Sequence, residues 1–414
     1  MISITNHEWR ASLGSRIVSV MKNARALIIG GGIAGPSLAL FLQRAGFAPR
    51  VFESYPRSDE VGGSFQIAPN GMRVLDELGL AAPLLRMGTA SRAFCFRNHR
   101  GQVIGRARTD RSGPALNIGR PALQRLVRDE LERRGVAVAY GKRLRAVARD
   151  GSGVVAHFDD GTQETGDFIV GADGVRSRVR GALWPEQATP RDTGMVAVGG
   201  FCHADWAPPP ALAGAHELTF MVGPRHQLGY AAFGAQWAWW CHMLVESADE
   251  RATLAAYDVA AMARAMAERY AGWHAPVAEL LAQTATVLTT AIYDVPRLPA
   301  WHALDGRAAL IGDAAHAMSP AGGQGVSMAL SDSLLLARLL AQADTAAVAF
   351  ARFEAQRKSA AEAFVRQAYA NDRRSLHQSG PVGLWLRDHV VMPVIVPLLL
   401  SRVLERHYAA PVGA

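Results

Sequence analysis

An acid, a histidine and several glycines stand close together late in the chain, in the segment LIGDAAHAMSPAGGQGVSMALSDSL at residues 310–334. Asp313 and His316 have side chains of the kind used in general acid–base catalysis, and both types also ligate metal ions. Glycines such as Gly323 and Gly325 leave backbone amides free to approach a negatively charged ligand. Three interpretations therefore follow: an acid–base pair, a metal site, or one wall of a cofactor site.

The cofactor interpretation accounts for more of this segment than the other two. No set of His, Asp and Glu residues in the chain has metal-ligand spacing, so no metal is expected. A histidine base would have to reach the substrate, and we interpret His316 as a residue that fixes the turn after Asp313. GGQG is a glycine turn that opens a helix, where free amides and the dipole favour negative charge. Ser331 and Asp332 are interpreted as packing or solvated residues of that helix.

A nucleotide-binding motif stands near the start of the chain, at residues 25–53. ALIIG predicts a short buried strand, and Gly30-x-Gly32-x-x-Gly35 follows it directly. A helical pattern comes next and ends at Gly46, and PRVFE predicts a second strand that ends in Glu53. Glycines in these positions allow a tight turn, approach of the backbone to a pyrophosphate and close helix packing. An acid at position 53 can accept hydrogen bonds from ribose hydroxyls and argues against a ribose phosphate at this site.

Two later segments supply further strands that end in acid-containing turns. DFIVGADGVRSRVR (167–180) predicts a strand, a turn at Asp173-Gly174 and the start of a helix. AALIGDAAH (308–316) predicts a strand that places Asp313 at its carboxyl end. Ligands bind in the crevice beyond the carboxyl ends of such strands, so these acids are predicted to share one site with the glycine motif.

The three motifs GGGIAG with Glu53, GADGVRSRVR and GDAAHAMSPAGGQG, in this order and spacing, resemble those of the single-component FAD-dependent aromatic hydroxylases, the p-hydroxybenzoate hydroxylase-like family. The resemblance covers roughly residues 25–375. PNGMRVLDELGL (69–80) and NIGRPALQRLV (117–127) are also similar to family segments.

The resemblance implies roles for individual residues. Glu53 is expected to bind the adenosine ribose, and Arg120 to contact the ribityl–phosphate chain of the flavin. Asp173 and Gly174 are expected near both FAD and a passing nicotinamide cofactor, and Asp313 near the ribityl or phosphate region. The residues expected to contact the cofactor are Gly30, Gly32, Ile33, Ala34, Gly35, Glu53, Arg120, Asp173, Gly174, Gly312, Asp313, Pro320, Gly322, Gly323, Gln324, Gly325 and Val326.

The fold implied is an α/β, Rossmann-like FAD-binding domain of the GR2/PHBH type, with an inserted substrate domain on an antiparallel β-sheet and C-terminal helices. The FAD-binding domain is predicted to be discontinuous, with boundaries at 24–90, 112–190 and 286–380. The substrate domain is predicted from 91–111 and 191–285, and the C-terminal helical segment from 381–414. Strand patterns joined by Gly/Pro turns, such as QLGYAAFG and AQWAWWCHML, support the predicted antiparallel sheet.

Three aromatic residues of this sheet, Phe233, Trp237 and Trp239, are the candidate substrate contacts. Alternation places Trp237 and Trp239 on one face of a strand and Trp240 on the other, and core packing is the alternative role for them. Residues 195–245 contain one arginine, Arg225, and no lysine. A buried carboxylate needs a cation, so a neutral, largely apolar aromatic or phenolic ring is expected, unless arginines at 92–111 supply the charge.

The resemblance implies an FAD-dependent monooxygenase that uses NAD(P)H and O2 and hydroxylates this ring through a flavin C4a-hydroperoxide, in natural-product tailoring or xenobiotic breakdown. The flavin carries the chemistry, so no catalytic side chain is expected. The chain has no second GxGxxG motif, which fits transient docking of NADPH or NADH. The alternatives are a halogenase or prenyl-chain reductase of this fold, a flavin-free binding protein, or an NAD dehydrogenase. WAWWCH lacks the WxWxIP pattern of flavin halogenases.

Bulk properties set the remaining expectations. The three cysteines lie far apart and residues 1–22 lack a continuous apolar run, so a cytoplasmic protein is expected, as monomer or homodimer. The net charge of +8 comes from scattered arginines, which favours phosphate-bearing cofactors over nucleic acid. VVMPVIVPLLL (390–400) is too short to span a bilayer, and we interpret it as a helix end packed on the core. Contact with a membrane or a lipophilic substrate is the alternative.

Overall fold

A computed structural model describes residues 21–56, 62–209, 212, 216–320, 323–375 and 380–409. The strands are β1 Arg25–Ile29, β2 Ala48–Phe52, β3 Ser64–Ile67, β4 Thr89–Ser91, β5 Ala93–Asn98, β6 Val103–Arg108, β7 Ala115–Gly119, β8 Val138–Ala139, β9 Leu144–Asp150, β10 Gly153–Phe158, β11 Gln163–Gly166, β12 Phe168–Gly171, β13 Arg191–Cys202, β14 Glu217–Val222, β15 Gln227–Phe233, β16 Gln236–Leu244, β17 Thr284–Asp294, β18 His302–Ala303 and β19 Ala308–Leu310. The helices before residue 376 are α1 Ala34–Arg44, α2 Pro69–Glu77, α3 Ala81–Met87, α4 Arg120–Arg133, α5 Arg178–Leu183, α6 Ala248–Ala256, α7 Val259–Arg269, α8 Val277–Ala282, α9 Asp313–His316, α10 Gly325–Gln342 and α11 Ala346–Ser375.

A six-stranded sheet in the order β18-β19-β12-β1-β2-β8 carries the three motifs. Its neighbouring strands from β19 to β8 run parallel. Because β1 and β12 are apolar on both faces, they lie buried between helices, as parallel strands require. The glycine motif follows β1, Asp173 follows β12 and Asp313 follows β19, so all three turns meet at the carboxyl edge. The α/β fold predicted from the sequence is confirmed.

A seven-stranded sheet forms the second unit, in the order β17-β13-β16-β15-β14-β5-β6. Its neighbours pair antiparallel except β5 and β14, which run parallel, so the sheet is not purely antiparallel as predicted. β17 pairs with β13 as far as Asp294, which carries this sheet beyond the boundary predicted between residues 285 and 286. Helices α6, α7 and α8 pack with one face of this sheet, where they build a second hydrophobic core around Met262, Met266 and Tyr270.

The last described residues form one continuous helix made of five segments, called the C-terminal helix below: Pro381–Leu386, Arg387–Val391, Met392–Ile395, Val396–Leu400 and Ser401–Ala409. Over Pro381–Glu405 it is long and apolar enough to cross a membrane by length and composition alone. The prediction that residues 390–400 pack on the core is wrong for most of them. Val396 is buried, but Val394, Leu398 and Leu399 are more than half exposed, because only one row of this helix contacts the protein.

Residues 1–20 and 410–414 lie outside the described residues, as do the interpretations made for them. The three cysteines are free and buried.

Candidate flavin and substrate site

The glycine motif forms a turn. Its two outer glycines are required by packing within the protein, because a side chain at either position would overlap backbone atoms. Gly30 has φ of 113°, and a Cβ there would lie 2.3 Å from the Ala172 carbonyl oxygen. A Cβ at Gly35 would lie 2.1 Å from the Gly30 carbonyl oxygen, so α1 packs directly on the turn. Gly32 differs, because a Cβ there would meet no atom within 4 Å. Ile33, the N-cap of α1, and Ala34, its first residue, lie buried beneath this open space.

Glu53 faces the same turn from the end of β2. Its Oε2 accepts a hydrogen bond from the Gly31 amide at 2.7 Å, and its Oε1 accepts bonds from the Tyr55 amide and the Ser54 hydroxyl. These contacts hold the carboxylate beside the glycine loop. The position is that of an acid able to accept hydrogen bonds from ribose hydroxyls.

Arg120 is the first residue of α4 and reaches the site from another direction. Its amide donates to the Gly63 carbonyl oxygen at 2.9 Å, and its side chain lies beside Gly62. The side chain is exposed, and in the described part of the chain no carboxylate pairs with its guanidinium. Arg120 is therefore available to an anionic group such as a phosphate.

Asp173 has a structural task in addition to any role toward a ligand. Its carboxylate accepts hydrogen bonds from the Ser177 hydroxyl at 2.5 Å, the Arg178 amide at 2.7 Å and the Val179 amide at 3.1 Å. These bonds fix the start of α5. Gly174, which follows with φ of 79°, has open space where a Cβ would lie.

Asp313 lies exposed at the carboxyl end of β19, among buried neighbours. Among the described residues no hydrogen-bond donor contacts its carboxylate, and its Oδ1 lies 4.0 Å from a Cβ built on Gly325. Gly312, directly before it, has φ of 57°, which only glycine adopts without strain. An unpaired carboxylate facing an open loop is the arrangement expected of a ligand-binding acid.

The loop between Asp313 and α10 borders the same opening. Pro320 and Gly323 are exposed, Gln324 is buried as the N-cap of α10, and Gly325 and Val326 begin that helix. Gly323 has φ of 61°, and a Cβ added there would meet no atom within 4 Å. Gly322 lies outside the described residues. The start of an 18-residue helix therefore faces open space, with its free amides directed to it.

Asp332 organises this whole segment from beneath, a role that the sequence interpretation missed. Its buried Oδ2 accepts the Gly312 amide at 3.0 Å and lies 2.6 Å from His316 Nε2, and its Oδ1 accepts from Arg357 Nε at 2.8 Å. Burial alone would raise the pKa of Asp332, but Arg357, His316 and the Gly312 amide together lower this pKa to about 2. His316 is fully buried against Trp301, in the geometry of a scaffold residue.

Arg180 links two of the motifs and was also missed. Its fully buried guanidinium donates to the carbonyl oxygens of Val175, Gln187 and Ala314. Val175 belongs to the second motif and Ala314 to the third. The pattern VRSRVR contains this arginine, but its partners lie up to 134 residues away, and no local signal reveals them.

The substrate side of the site differs from the prediction. Trp237 and Trp239 pack in the second core beneath α7 and α8, and Trp239 donates its indole N–H to the Thr284 hydroxyl at 2.8 Å. Trp239 is 1 % exposed. These two tryptophans are therefore core residues, because strand alternation turns them to the helix-covered face. Phe233 alone of the three candidates lies on the opposite face.

That opposite face, called the aromatic face below, carries a cluster of rings: Phe94, Phe96, Phe201, Phe220, Phe233 and Trp240. Phe220 contacts Trp240 edge-on at 6.0 Å and stacks on Phe96 at 5.4 Å. Gly229 makes room for the indole of Trp240, since a Cβ at Gly229 would lie 2.3 Å from Trp240 Cε2. Most of these rings are only half-buried.

Strand register points the aromatic face toward the flavin motifs. Leu288, Gly199 and Trp240 stand opposite one another on β17, β13 and β16. The Leu288 side chain lies 3.9 Å from a Cβ built on Gly63, next to Arg120. His242, on the same face, contacts Asp372 at 2.9 Å, and Asp372 also accepts from the Ser319 hydroxyl in the third motif. The aromatic face and the flavin loop thus border one site.

The two arginines of β6, Arg106 and Arg108, do not lie on the aromatic face. Arg106 and Arg108 stand opposite Cys95 and Ala93, which alternate with Phe94 and Phe96. Arg106 pairs with Glu217, and Arg108 pairs with Asp110. Neither arginine of β6 therefore supplies a cation to the aromatic face.

The donor set fits FAD. The contacts for a ribose, a pyrophosphate and a flavin ring are the open space above Gly32, the acid at the end of β2, and Arg120 and Asp313, which pair with no charged group among the described residues. The fold and the site together define a flavoprotein of the p-hydroxybenzoate hydroxylase type.

Comparison with known proteins identifies the family. A family model described as FAD binding domain matches residues 23–368. The chain is 30% identical over 370 residues to the aurachin C monooxygenase/isomerase of Stigmatella aurantiaca, covering 87% of this chain and 89% of that protein. It is 33% identical over 330 residues to the 3-amino-4-hydroxybenzoate 2-monooxygenase PtmB3 of Streptomyces platensis, covering 77% and 80%.

The fold matches a solved structure as well. The crystal structure of Klebsiella pneumoniae HpxO complexed with FAD and uric acid superposes with a TM-score of 0.78 at 24% identity, covering 93% of this chain and 96% of that one. The chain belongs to the FAD binding domain family and is an FAD-dependent monooxygenase. The predicted enzyme class and cofactor are confirmed.

Gly32→Ala tests whether the open space above the glycine turn receives the cofactor. Because the new methyl group meets no protein atom, the flavin-free variant should unfold at the wild-type temperature, while its FAD affinity should fall by about tenfold or more. Fluorescence titration of the stripped protein measures this affinity. Gly35→Ala is the control, and it should destabilise the flavin-free fold because its Cβ overlaps the Gly30 carbonyl. Unchanged FAD affinity in Gly32→Ala would contradict the assignment.

Asp313 of the third motif and Asp332 of α10 should respond differently to substitution. Asp313→Ala should lower FAD occupancy with little effect on unfolding, since the side chain is exposed and unpaired. Asp332→Asn should cost about 3 kcal/mol of unfolding free energy at neutral pH, because Arg357 and His316 lose their partner. Chemical denaturation of both flavin-free variants separates the effects.

The pH dependence of the Asp332→Asn deficit provides a second check. The pKa of Asp332 is lowered on folding, so its stabilising contribution is present above about pH 4 and is lost as the pH falls toward 2. The deficit should shrink over that range. A deficit that stays constant down to pH 2 would show that the charge of Asp332 is not responsible.

Proposed function

We propose that this monooxygenase hydroxylates a neutral, largely apolar aromatic or phenolic molecule that packs on the aromatic face. The observation that supports this proposal is the half-buried cluster around Trp240, with the strand arginines on the opposite face. Among the described residues, Arg106 and Arg108 of β6 do not reach this face to pair with a substrate carboxylate, whose burial without a cation would be costly. Ring stacking and edge contacts are the interactions that such a surface offers.

FAD, when bound, supplies electron transfer from NAD(P)H and activation of dioxygen. One oxygen atom enters the aromatic C–H bond of the substrate, the other leaves as water, and NAD(P)H with one proton provides the two electrons. In this chain, the aromatic face would orient the ring, and the start of α10 at Gly325 would present amides to the cofactor. The Asp332 cluster holds that segment in place.

The named relatives support the reaction class but differ among themselves in the molecules their names give. The names of these relatives contain aurachin C, 3-amino-4-hydroxybenzoate and urate. For the substrate of this chain we propose only the class they share, a molecule with an electron-rich ring. We also propose that NADH or NADPH docks transiently and that the protein is cytoplasmic. We propose a division into an FAD-binding domain at 24–90, 112–190 and 286–380 and a substrate domain at 91–111 and 191–285, with β17 assigned to the substrate sheet.

A panel of neutral phenols, aromatic acids and fused apolar rings tests the substrate class. The rate of NAD(P)H-driven flavin reduction under anaerobic conditions reports which ligand engages the site. We expect neutral apolar rings to accelerate this step most, and their aerobic product to gain one oxygen atom. Preference for benzoates over the matched neutral phenols would contradict the proposal.

Trp240 is the residue on which this preference should depend. Trp240→Ala should raise KM for the best ligand by about tenfold or more, since ring contacts of this kind contribute on the order of 1 kcal/mol beyond the area they bury. Trp240→Phe should recover most of the affinity. Wild-type KM in Trp240→Ala, with FAD fully bound, would show that the substrate binds elsewhere.

A further inference from the structure

The C-terminal helix presents an almost wholly apolar surface to solvent. Its exposed apolar residues are Val382, Trp385, Leu386, Val390, Val391, Val394, Ile395, Leu398, Leu399 and Val403. Each of these ten residues is more than 40 % exposed, whereas soluble monomers rarely expose contiguous apolar patches larger than a few hundred Å². A patch of this size indicates a docking surface.

Two π-helical turns keep one row of this helix against the protein. An α-helix has 3.6 residues per turn, so residues four apart drift around its axis. The wider turns at Arg387–Val391 and Val396–Leu400 cancel that drift. The row that faces the protein therefore recurs every four residues: Leu384, Asp388, Met392, Val396, Leu400 and Leu404. The opposite row recurs likewise: Val382, Leu386, Val390, Val394 and Leu398, and it ends at the exposed Arg402.

The C-terminal helix is anchored along its length by residues in or beside the inner row. Arg387 donates to the Gly223 carbonyl oxygen at 2.8 Å, and Asp388 accepts from the Asn98 amide at 3.2 Å. Val396 packs directly on Gly105, where a Cβ would lie 2.8 Å from it. Glu405 pairs with Arg111 at 2.5 Å. Crossing a bilayer would break these contacts, so the helix is placed to lie along a surface.

The shape of the apolar surface distinguishes a bilayer from a second copy of the chain. A helix pair buries a stripe of one or two rows. Here the outer row is flanked on one side by Val391, Ile395, Leu399 and Val403, and on the other by Trp385, His389, Pro393 and Pro397. Lipid can surround this broad half-cylinder, whereas a partner helix would leave its flanks in water. The polar side that an isolated interfacial helix needs is replaced by the protein body.

We propose that the C-terminal helix docks the enzyme on a phospholipid bilayer surface, with its outer rows inserted at the boundary between headgroups and acyl chains. Trp385, in the first turns, is of the type enriched at that boundary. The net charge of +8 favours an anionic surface.

The inner row of the same helix borders the substrate side of the site. Gly105, on which Val396 packs, pairs with Phe96 of the aromatic face. The last turn contacts α2, where Arg73 donates to the Tyr408 carbonyl oxygen. Docking would therefore place lipid one helix diameter from the aromatic face, a favourable position for taking up an apolar ring dissolved in the membrane. This last step rests on the proposed function, whereas docking itself does not.

Vesicle co-sedimentation of the flavin-loaded enzyme tests docking. Wild-type protein should pellet with phosphatidylcholine vesicles, and more strongly when phosphatidylglycerol is added at about one part in four. Val394→Glu/Leu398→Glu should reduce the bound fraction by about tenfold or more while flavin absorbance is retained. The matched control Leu244→Glu/Val348→Glu changes two other exposed apolar residues by the same charge and should pellet like wild type.

Quenching by brominated lipids tests the same contact without adding charge. Wild-type tryptophan fluorescence should be quenched, and Trp385→Phe should still bind vesicles but lose that quenching.

Failure of wild-type protein to bind either vesicle would overturn the proposal. If sedimentation velocity then shows a dimer that Val394→Glu/Leu398→Glu dissociates, a second copy is the occupant. Vesicle binding with an inactive enzyme would count against the proposed function alone.

Discussion

The geometry of the site depends on one buried carboxylate. Asp332 joins the Gly312 amide, His316 and Arg357, and through them it fixes the turn that carries Asp313 out to the ligand. A buried acid without partners would be protonated, but these donors keep it charged. Because the partners come from the strand end, from α9 and from α11, the same interaction joins the cofactor loop to the long helices behind it.

The local motifs were predictable because their determinants lie within a few residues. Gly35 is required by its close approach to the Gly30 carbonyl oxygen within the same turn, and an acid after the next strand reaches that turn. The order of three such motifs along the chain made it possible to predict the family as well. Asp332, Arg180 and Asp372 were not predictable, since their partners lie on distant elements and the residues themselves follow no spacing rule.

The tryptophans show a different limit of prediction from the sequence. Alternation correctly separated Trp240 from Trp237 and Trp239, but it does not say which face of a sheet helices will cover. The structure places α7 and α8 over Trp239, so the face with the single tryptophan borders the flavin loop. The packing of residues 390–400 was predicted wrongly for a related reason. An apolar run of eleven residues does not reveal that α-helical and π-helical turns extend the helix to twenty-nine residues, of which only one row is anchored.

The central claim is that this chain is a flavin monooxygenase acting on a neutral aromatic ring. Oxygen-18 labelling of the product tests this claim most directly. The flavin-loaded enzyme would be given NAD(P)H, labelled dioxygen and the neutral ligand that most accelerates flavin reduction. We expect a product that carries one labelled oxygen atom, and at a ligand concentration below the wild-type KM the Trp240→Ala variant should form it about tenfold more slowly. Steady NAD(P)H consumption that yields only peroxide or an unlabelled product with every ligand would contradict the claim.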